Sequence, residues 1–222
     1  RWVDKLNDRW ESSIFLMNSD GSRPRALVTG GSPRWSPDGS RIAYVARGEP
    51  SGSQIWVRWM DAEGATTQIT RLLEAPTDLA WSPDGKWIAF RMLVPETEGW
   101  KIEGQVSALR PRGATWTQAP RVVEQLSYRR DGQGFIRSGT QQLFVVPADG
   151  GTPRQVSSGA WSVGAPAWLP DGRTITFSSG PRTEDAEYAW RESDVFSIDV
   201  ETGAIKQLTT GRGPGNNTVA SP

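Results

Sequence analysis

The sequence contains no histidine and no cysteine. Without histidine the usual general base is missing, so Ser/His or Cys/His nucleophilic machinery cannot be assembled from these residues. Without cysteine there are no disulfides, no thiolate zinc sites and no cysteine nucleophile, although the redox compartment stays open. Excess charge of one sign is also lacking, because 25 Lys+Arg balance 25 Asp+Glu. A net charge of zero does not provide the general cationic surface that a phosphate backbone needs. No apolar run approaches the roughly 18 residues of a membrane span. The opening RWVDKLNDRW lacks the apolar segment of a signal peptide. The expectation is a soluble chain, cytoplasmic sooner than periplasmic, with no cofactor, no nucleic-acid partner and no membrane partner.

What is abundant is turn-forming and flat: 24 Gly, 16 Pro and 12 Trp in 222 residues. That mixture favours short strands joined by tight turns. Trp-Ser-Pro-Asp-Gly occurs twice, at Trp35–Gly39 and Trp81–Gly85, each time followed by an apolar run. Looser copies extend the series. Asp38, Asp84, Asp131 and Asp171 each precede a glycine and each follow an aromatic, namely Trp35, Trp81, Tyr128 and Trp168. Ile42, Ile88, Phe135 and Ile175 come next, then Tyr44, Phe90 and Phe177, with Arg130 and Arg137 breaking the pattern in the third copy. A second element alternates with the first. It carries Phe15, Trp56, Phe144 and Phe196 at equivalent places and ends in Thr or Ser.

Each unit therefore reads as two hairpins, or four strands. Proline presets φ at the turn, aspartate bonds nearby backbone, and glycine takes φ > 0 without steric cost. The strand after the turn is apolar on both alternating faces, so it lies between two layers. Four-stranded sheets repeating at this spacing are the blades of a β-propeller. The competing β-sandwich does not repeat a motif at fixed spacing. The expected fold is all-β, one incomplete propeller over residues 1–222: half a blade, four blades and the start of another. The units are 13–29 (half), 33–70, 78–123, 126–157, 166–209 and a stub at 219–222, with a degenerate copy of the second element expected in 99–123. Broken blades at both ends predict an excised portion of a longer protein, self-associating through open edges and uncovered aromatics such as Phe15. The alternative is closure into a small ring.

The Trp-Ser-Pro-Asp-Gly copies resemble the repeat of TolB-type propellers. The second half of the chain, in APRVVEQLSYRRDGQGF, QLFVVPADGGTPRQVSSG, GAPAWLPDGRTITFSS and SDVFSIDVETGAIKQLTTGRGP, resembles the propeller of prolyl oligopeptidase-family serine peptidases. The acylaminoacyl-peptidase and dipeptidyl-peptidase branch is the nearest in character. This resemblance implies a partner, the α/β-hydrolase domain of the parent protein. It implies short peptides as substrates, with the propeller limiting their size. That family keeps its nucleophile in a Gly-x-Ser-x-Gly elbow. No such elbow occurs here, so no triad residue carries over and no catalytic residue is assigned. The Glu-rich amine-binding motif of the dipeptidyl-peptidase-IV type is also absent. A TolB-like binding scaffold without enzymatic activity is the alternative.

Remaining candidates are weaker. NSDGS and DKLND resemble fragments of calcium loops without the full ligand spacing, and no metal site is expected. GPRTEDAEYAWRES, between the second and third strands of the last full unit, gathers Arg182, Glu184, Asp185, Glu187, Trp190 and Arg191. A charged loop at a propeller face is where partner or substrate contacts are commonly built. GQVSALRPRGATW adds Arg110 and Arg112 as candidate carboxylate contacts. An ordinary solvated loop is the competing reading for both.

Overall fold

The computed structural model describes residues 2–6, 8–61, 63–96, 111–114, 123, 128–132, 134–180, 192–216 and 218–219. Among these the only regular element is the β-strand. The chain divides into two compact units, one formed by Arg1–Val94 with Thr140–Pro222 and the other by Pro95–Gly139.

The first unit opens with a hairpin of β1 (Trp2–Asp4) and β2 (Arg9–Glu11). A second hairpin, β3 (Ser13–Leu16) and β4 (Arg25–Thr29), is the expected half blade. Its turn is the NSDGS stretch, closed by Ser22 N–H donating to the Asp20 carboxylate at 2.8 Å and by Gly21 N–H donating to the Asn18 carbonyl at 2.9 Å. Next comes a complete blade of β5 (Gly31–Trp35), β6 (Arg41–Arg47), β7 (Ser53–Trp59) and β8 (Thr66–Gln68) in sequential antiparallel order.

The following blade departs from expectation. β9 (Thr77–Trp81) and β10 (Trp87–Pro95) are its first two strands. The chain then enters the second unit, where β11 (Arg129–Arg130) and β12 (Gly134–Phe135) form a hairpin around Asp131-Gly132. Its Tyr128 and Phe135 rings lie 6.2 Å apart. β13 (Gly139–Pro147) then pairs with β10, and β14 (Arg154–Gln155) completes the sheet. The expected units 78–123 and 126–157 thus share one sheet, which draws its inner pair from the first and its outer pair from the second. The physical reason is that β10 needs an antiparallel partner buried on both faces, and β13, with Leu143, Phe144, Val145 and Val146 all buried, supplies one. The degenerate copy expected in 99–123 falls almost wholly outside the described residues. The last blade is β15 (Ala167–Trp168), β16 (Thr174–Ser179), β17 (Asp194–Asp199) and β18 (Ile205–Gln207). The architecture is an all-β partial propeller with three complete four-stranded sheets among the described residues. The 219–222 stub lies there only at Val219.

The cores sit between sheets, and strand periodicity assigns each side chain to one of them. In β10, Ile88 and Phe90 join Ala43, Ile55 and Val57 of the preceding blade, while Ala89 joins Ile175 and Phe177 of the following one. β6 repeats the arrangement, with Ile42 and Tyr44 packing backwards on the half blade and Ala43 forwards. This is why the repeat reads Ile-small-aromatic: successive side chains face opposite neighbours. Phe15 occupies the backward-facing position of the half blade and is 66% exposed.

Two hydrogen-bond devices recur. The turn serine of the motif, Ser36 or Ser82, donates to the aspartate two residues on at 2.6 Å and accepts an N–H from across the turn at 2.9 Å. The last blade has Leu169 at that place, and Thr174 supplies the hydroxyl to Asp171 at 2.7 Å instead. The second device explains the terminal Thr or Ser of the three complete blades. Thr70, Ser157 and Thr209 each accept the N–H of a third-strand residue, Ile55, Leu143 or Val195, at 2.8–2.9 Å. Each hydroxyl donates in turn to Gln54, Gln142 or Asp194.

Candidate functional site

Antiparallel order gives the blades two chemically distinct ends. The Asp-Gly turns and the third-to-fourth-strand turns share one end, and the second-to-third-strand connections share the other. The segment 180–193 joins β16 to β17 at this second end, as the sequence reading expected. Its roots are pinned. Ser179 Oγ donates to the Ser162 carbonyl at 3.1 Å, Ser193 Oγ donates to the Gly215 carbonyl at 2.9 Å, and Gly215 N–H returns to the Ser193 carbonyl at 2.7 Å. Arg182, Glu184, Asp185, Glu187, Trp190 and Arg191 lie outside the described residues, as does Arg110. Arg112 belongs to the second unit and is exposed on a turn closed by Ala114 N–H and the Pro111 carbonyl at 3.1 Å.

At the same end of the first unit the structure shows an ion pair that the sequence reading missed. Asp78, the second residue of β9, has φ of 52°, and Ser32 holds the equivalent place in the preceding blade with φ of 53°. Arg91 Nε donates to Asp78 Oδ2 at 2.8 Å, a second guanidinium N–H reaches the same oxygen, and a third donates to the Val163 carbonyl at 2.9 Å. Both side chains keep access to solvent, at 25% and 34% exposure. No repeat signal marked this pair, because the preceding blade has Ser32 and Val45 in the same places.

The turn end carries an aromatic–cation cluster. Arg41 lies between Trp59 of its own blade and Trp81 of the next, its guanidinium carbon 4.9 Å from each ring centroid. It donates to the Gly85 carbonyl at 2.8 Å and to Asp149 at 3.1 Å, so one side chain clamps two blades. Trp81 Nε1 donates back to the Arg34 carbonyl at 3.0 Å. The turn aspartates are held as carboxylates. The Ser36 and Ser40 hydroxyls hold Asp38 far below its ordinary value of 3.8, and the Ser82 hydroxyl lowers Asp84. For Asp171 burial acts upward, but the Thr174 hydroxyl and the N–H groups of Thr174 and Arg173 outweigh it. Asp199 is lowered to about 2 by the Thr202 N–H and the Arg173 guanidinium.

Among the described residues, the turn end thus presents indole faces around the Arg41 guanidinium, and the opposite end presents the Asp78–Arg91 ion pair. A family model for the TolB beta propeller domain matches residues 2–222.

The chain belongs to the TolB β-propeller family.

Among curated relatives, this TolB-type propeller is 33% identical over 192 residues to the uncharacterized peptidase YuxL of Bacillus subtilis (strain 168), covering 83% of this chain and 28% of that protein. It is 29% identical over 226 residues to dipeptidyl-peptidase 5 of Porphyromonas endodontalis, covering 92% of this chain and 30% of that protein. Among solved structures, it matches Pyrococcus horikoshii acylaminoacyl peptidase with a TM-score of 0.63 at 16% identity, covering 94% of this chain and 30% of that one. The chain thus spans less than a third of the length of each of these proteins. A TolB-type propeller accounts for the repeat, the Asp-Gly turns and the blade packing. No described helix is long and apolar enough to cross a membrane.

Proposed function

We propose that this propeller is the non-catalytic portion of a serine peptidase acting on short peptides, and that it restricts access to an α/β-hydrolase domain of the parent protein. The observation that carries the reading is the 33% identity to a Bacillus peptidase over 83% of the chain, in a sequence that itself lacks histidine. The charged segments around Arg110, Arg112 and Arg182–Arg191 are the contacts with substrate or hydrolase domain in this proposal. A serine-directed fluorophosphonate probe tests it. It labels the parent protein at one serine outside these residues and leaves the 222-residue chain unlabelled. Removing the propeller then extends cleavage to longer peptides. Labelling of a serine within this chain, or a parent gene with no Gly-x-Ser-x-Gly elbow, overturns the proposal. The family model matching residues 2–222 favours a second reading, a TolB-like binding scaffold without hydrolysis. A parent without the elbow supports that one.

A further inference from the structure

Two seams join the three complete blades at the turn end, one from β5–β8 to β9–β10–β13–β14 and one from there to β15–β18. They are built from equivalent positions but settle their charges differently. At the first, the earlier blade supplies Arg41 and the later blade supplies Asp149, and the two meet across the seam at 3.1 Å. The guanidinium fills a niche against Trp81 and Gly85, where a methyl group on Gly85 would stand 3.4 Å from one of its nitrogens. At the second seam Trp168, Gly172 and Glu201 hold the places of Trp81, Gly85 and Asp149, and Trp87 holds that of Arg41. A methyl group on Gly172 would meet nothing within 4 Å. A cavity of about 120 Å³ lies here, with charged lining from Arg154, Arg173 and Glu201 and flat walls from Trp87 and Trp168.

The earlier blade again supplies an arginine. Arg154 stands opposite Val145 in the β13–β14 register, and Val145 packs toward the later blade, so Arg154 lies on the cavity side of its sheet. The later blade again supplies an acid, Glu201. Here, however, Arg173 of that same blade already holds it at 3.3 Å, while bonding Asp199 at 2.5 Å. Asp199 is not part of the lining, so the wall carries two guanidinium groups and one carboxylate. Among the described residues, no ion pair or hydrogen bond engages the Arg154 side chain, and no acceptor takes the Trp87 indole N–H. A guanidinium beside apolar walls and without a counter-ion attracts an anion.

We propose that this cavity binds a carboxylate group presented by a peptide, with Arg154 as its counter-ion and the Trp87 indole N–H as a second donor. Arg41 finds its carboxylate within the chain, and Arg154 takes one from outside. A planar carboxylate matches the guanidinium fork in two parallel bonds. The indoles, with Val145 and Val200, shelter the apolar stem that carries it. The size agrees, since a cavity of about 150 Å³ holds a benzene molecule. This smaller one admits a carboxylate on a short stem and excludes an indole ring. The site does not depend on the parent being a peptidase.

The test uses the 222-residue chain with ¹⁵N-labelled indoles, titrated near neutral pH with N-acetyl-glutamate methylamide. The uncharged isostere N-acetyl-glutamine methylamide is the comparison. The glutamate derivative produces saturable shifts of the Trp87 and Trp168 indole N–H signals, and the glutamine derivative does not. N-acetyl-alanine separates the two peptide sources of a carboxylate. Tighter binding than the glutamate derivative assigns the site to a chain terminus, and weaker binding assigns it to an acidic side chain. Arg154→Gln, at an exposed position, weakens binding about tenfold, the change expected for loss of one charge-assisted bond. Glu201→Gln removes the one carboxylate of the described lining and tightens binding. Absence of saturable shifts overturns the proposal, as do equal shifts with the glutamine derivative, unchanged binding in Arg154→Gln or weaker binding in Glu201→Gln. The glutamine comparison needs no variant, so the proposal stays testable whatever the variants do to the fold.

Discussion

Trp168 donates its indole N–H to the backbone carbonyl of Ala80, 3.1 Å away in the preceding blade. Trp81 makes the same bond to Arg34, at 3.0 Å. The acceptor is in each case the residue just before the preceding blade's own tryptophan. The Trp of the motif is thus both a hydrophobic wedge and a register pin between neighbouring inner strands. Trp35 holds the same repeat position against the half blade, which has two strands among the described residues, and is 50% exposed where Trp81 and Trp168 are 9% and 7%.

The indole bond is separable from the ring's bulk. Trp81→Phe and Trp168→Phe keep an aromatic wedge and remove the donor. Each is expected to lower unfolding free energy by about 1–3 kcal/mol, the loss of a hydrogen bond and of some packing volume. Trp35→Phe, at the exposed position, is expected to change it by less than about 0.5 kcal/mol. Urea unfolding of the three variants checks this ordering, and equal losses at all three sites contradict the pin.

Arg41 is the polar counterpart of that pin. Arg41→Lys keeps the charge but not the flat, forked geometry that stacks between Trp59 and Trp81 while bonding Gly85 and Asp149. A loss of about 1–2 kcal/mol is expected for the lysine variant and more for Arg41→Ala, which also opens the niche. Methylguanidinium added to Arg41→Ala is expected to recover part of the thermal midpoint and to leave the parent chain's midpoint nearly unchanged. No recovery means that the clamp acts through the arginine stem alone.

The blade repeat was legible because its physics is local. The Asp-Gly turn needs φ near 69° at Gly39 and 67° at Gly85, and the alternation of Ile42, Ala43 and Tyr44 follows from strand geometry. The exposure of Phe15 followed from the same periodicity, which puts it on the backward-facing side of the half blade. The joining of β10 to β13 was not legible, because strand partners are chosen by burial and edge complementarity across the long Pro95–Gly139 insertion. Arg41 and the Asp78–Arg91 pair were invisible for a different reason. Each occurs in one blade only, and a reading built on repetition discards what does not repeat. The terminal Thr or Ser was seen as a pattern, but its role required knowing which third-strand N–H lay opposite.

That role predicts a specific cost. Ser157→Ala leaves the Leu143 N–H and the Gln142 side-chain oxygen without the hydroxyl that serves both. Both groups are buried, so a loss of about 2–3 kcal/mol is expected. Ser157→Thr, which writes the residue used at Thr70 and Thr209, is expected to retain most of the stability. Chemical denaturation of the pair decides between a hydrogen-bond role and a purely steric one. Equal destabilisation by Ala and Thr would exclude the hydrogen-bond role.

The turn aspartates make stability depend on acid in a defined direction. Asp38, Asp84, Asp171 and Asp199 all have their carboxyl pKa lowered in the folded chain, Asp199 to about 2 and Asp38 further. A lowered folded-state value means that ionisation favours the fold. The contribution is complete above the unfolded value of 3.8 and is lost as pH falls through the folded values. The thermal midpoint is therefore expected to be flat near neutrality and to fall between about pH 5 and 2. Asp38→Asn isolates one member. It loses the charge-assisted bonds from Ser36 and Ser40, so its midpoint lies below the parent's at pH 7. The gap narrows as pH drops below 4, because the parent loses what the variant never had. These carboxylates act mainly through short hydrogen bonds rather than long-range attraction, so added salt should leave most of the gap in place. Differential scanning calorimetry from pH 7 to 2, at low and high salt, measures all three features. A gap that stays constant across the acid range would show that Asp38 acts through its shape and not its charge.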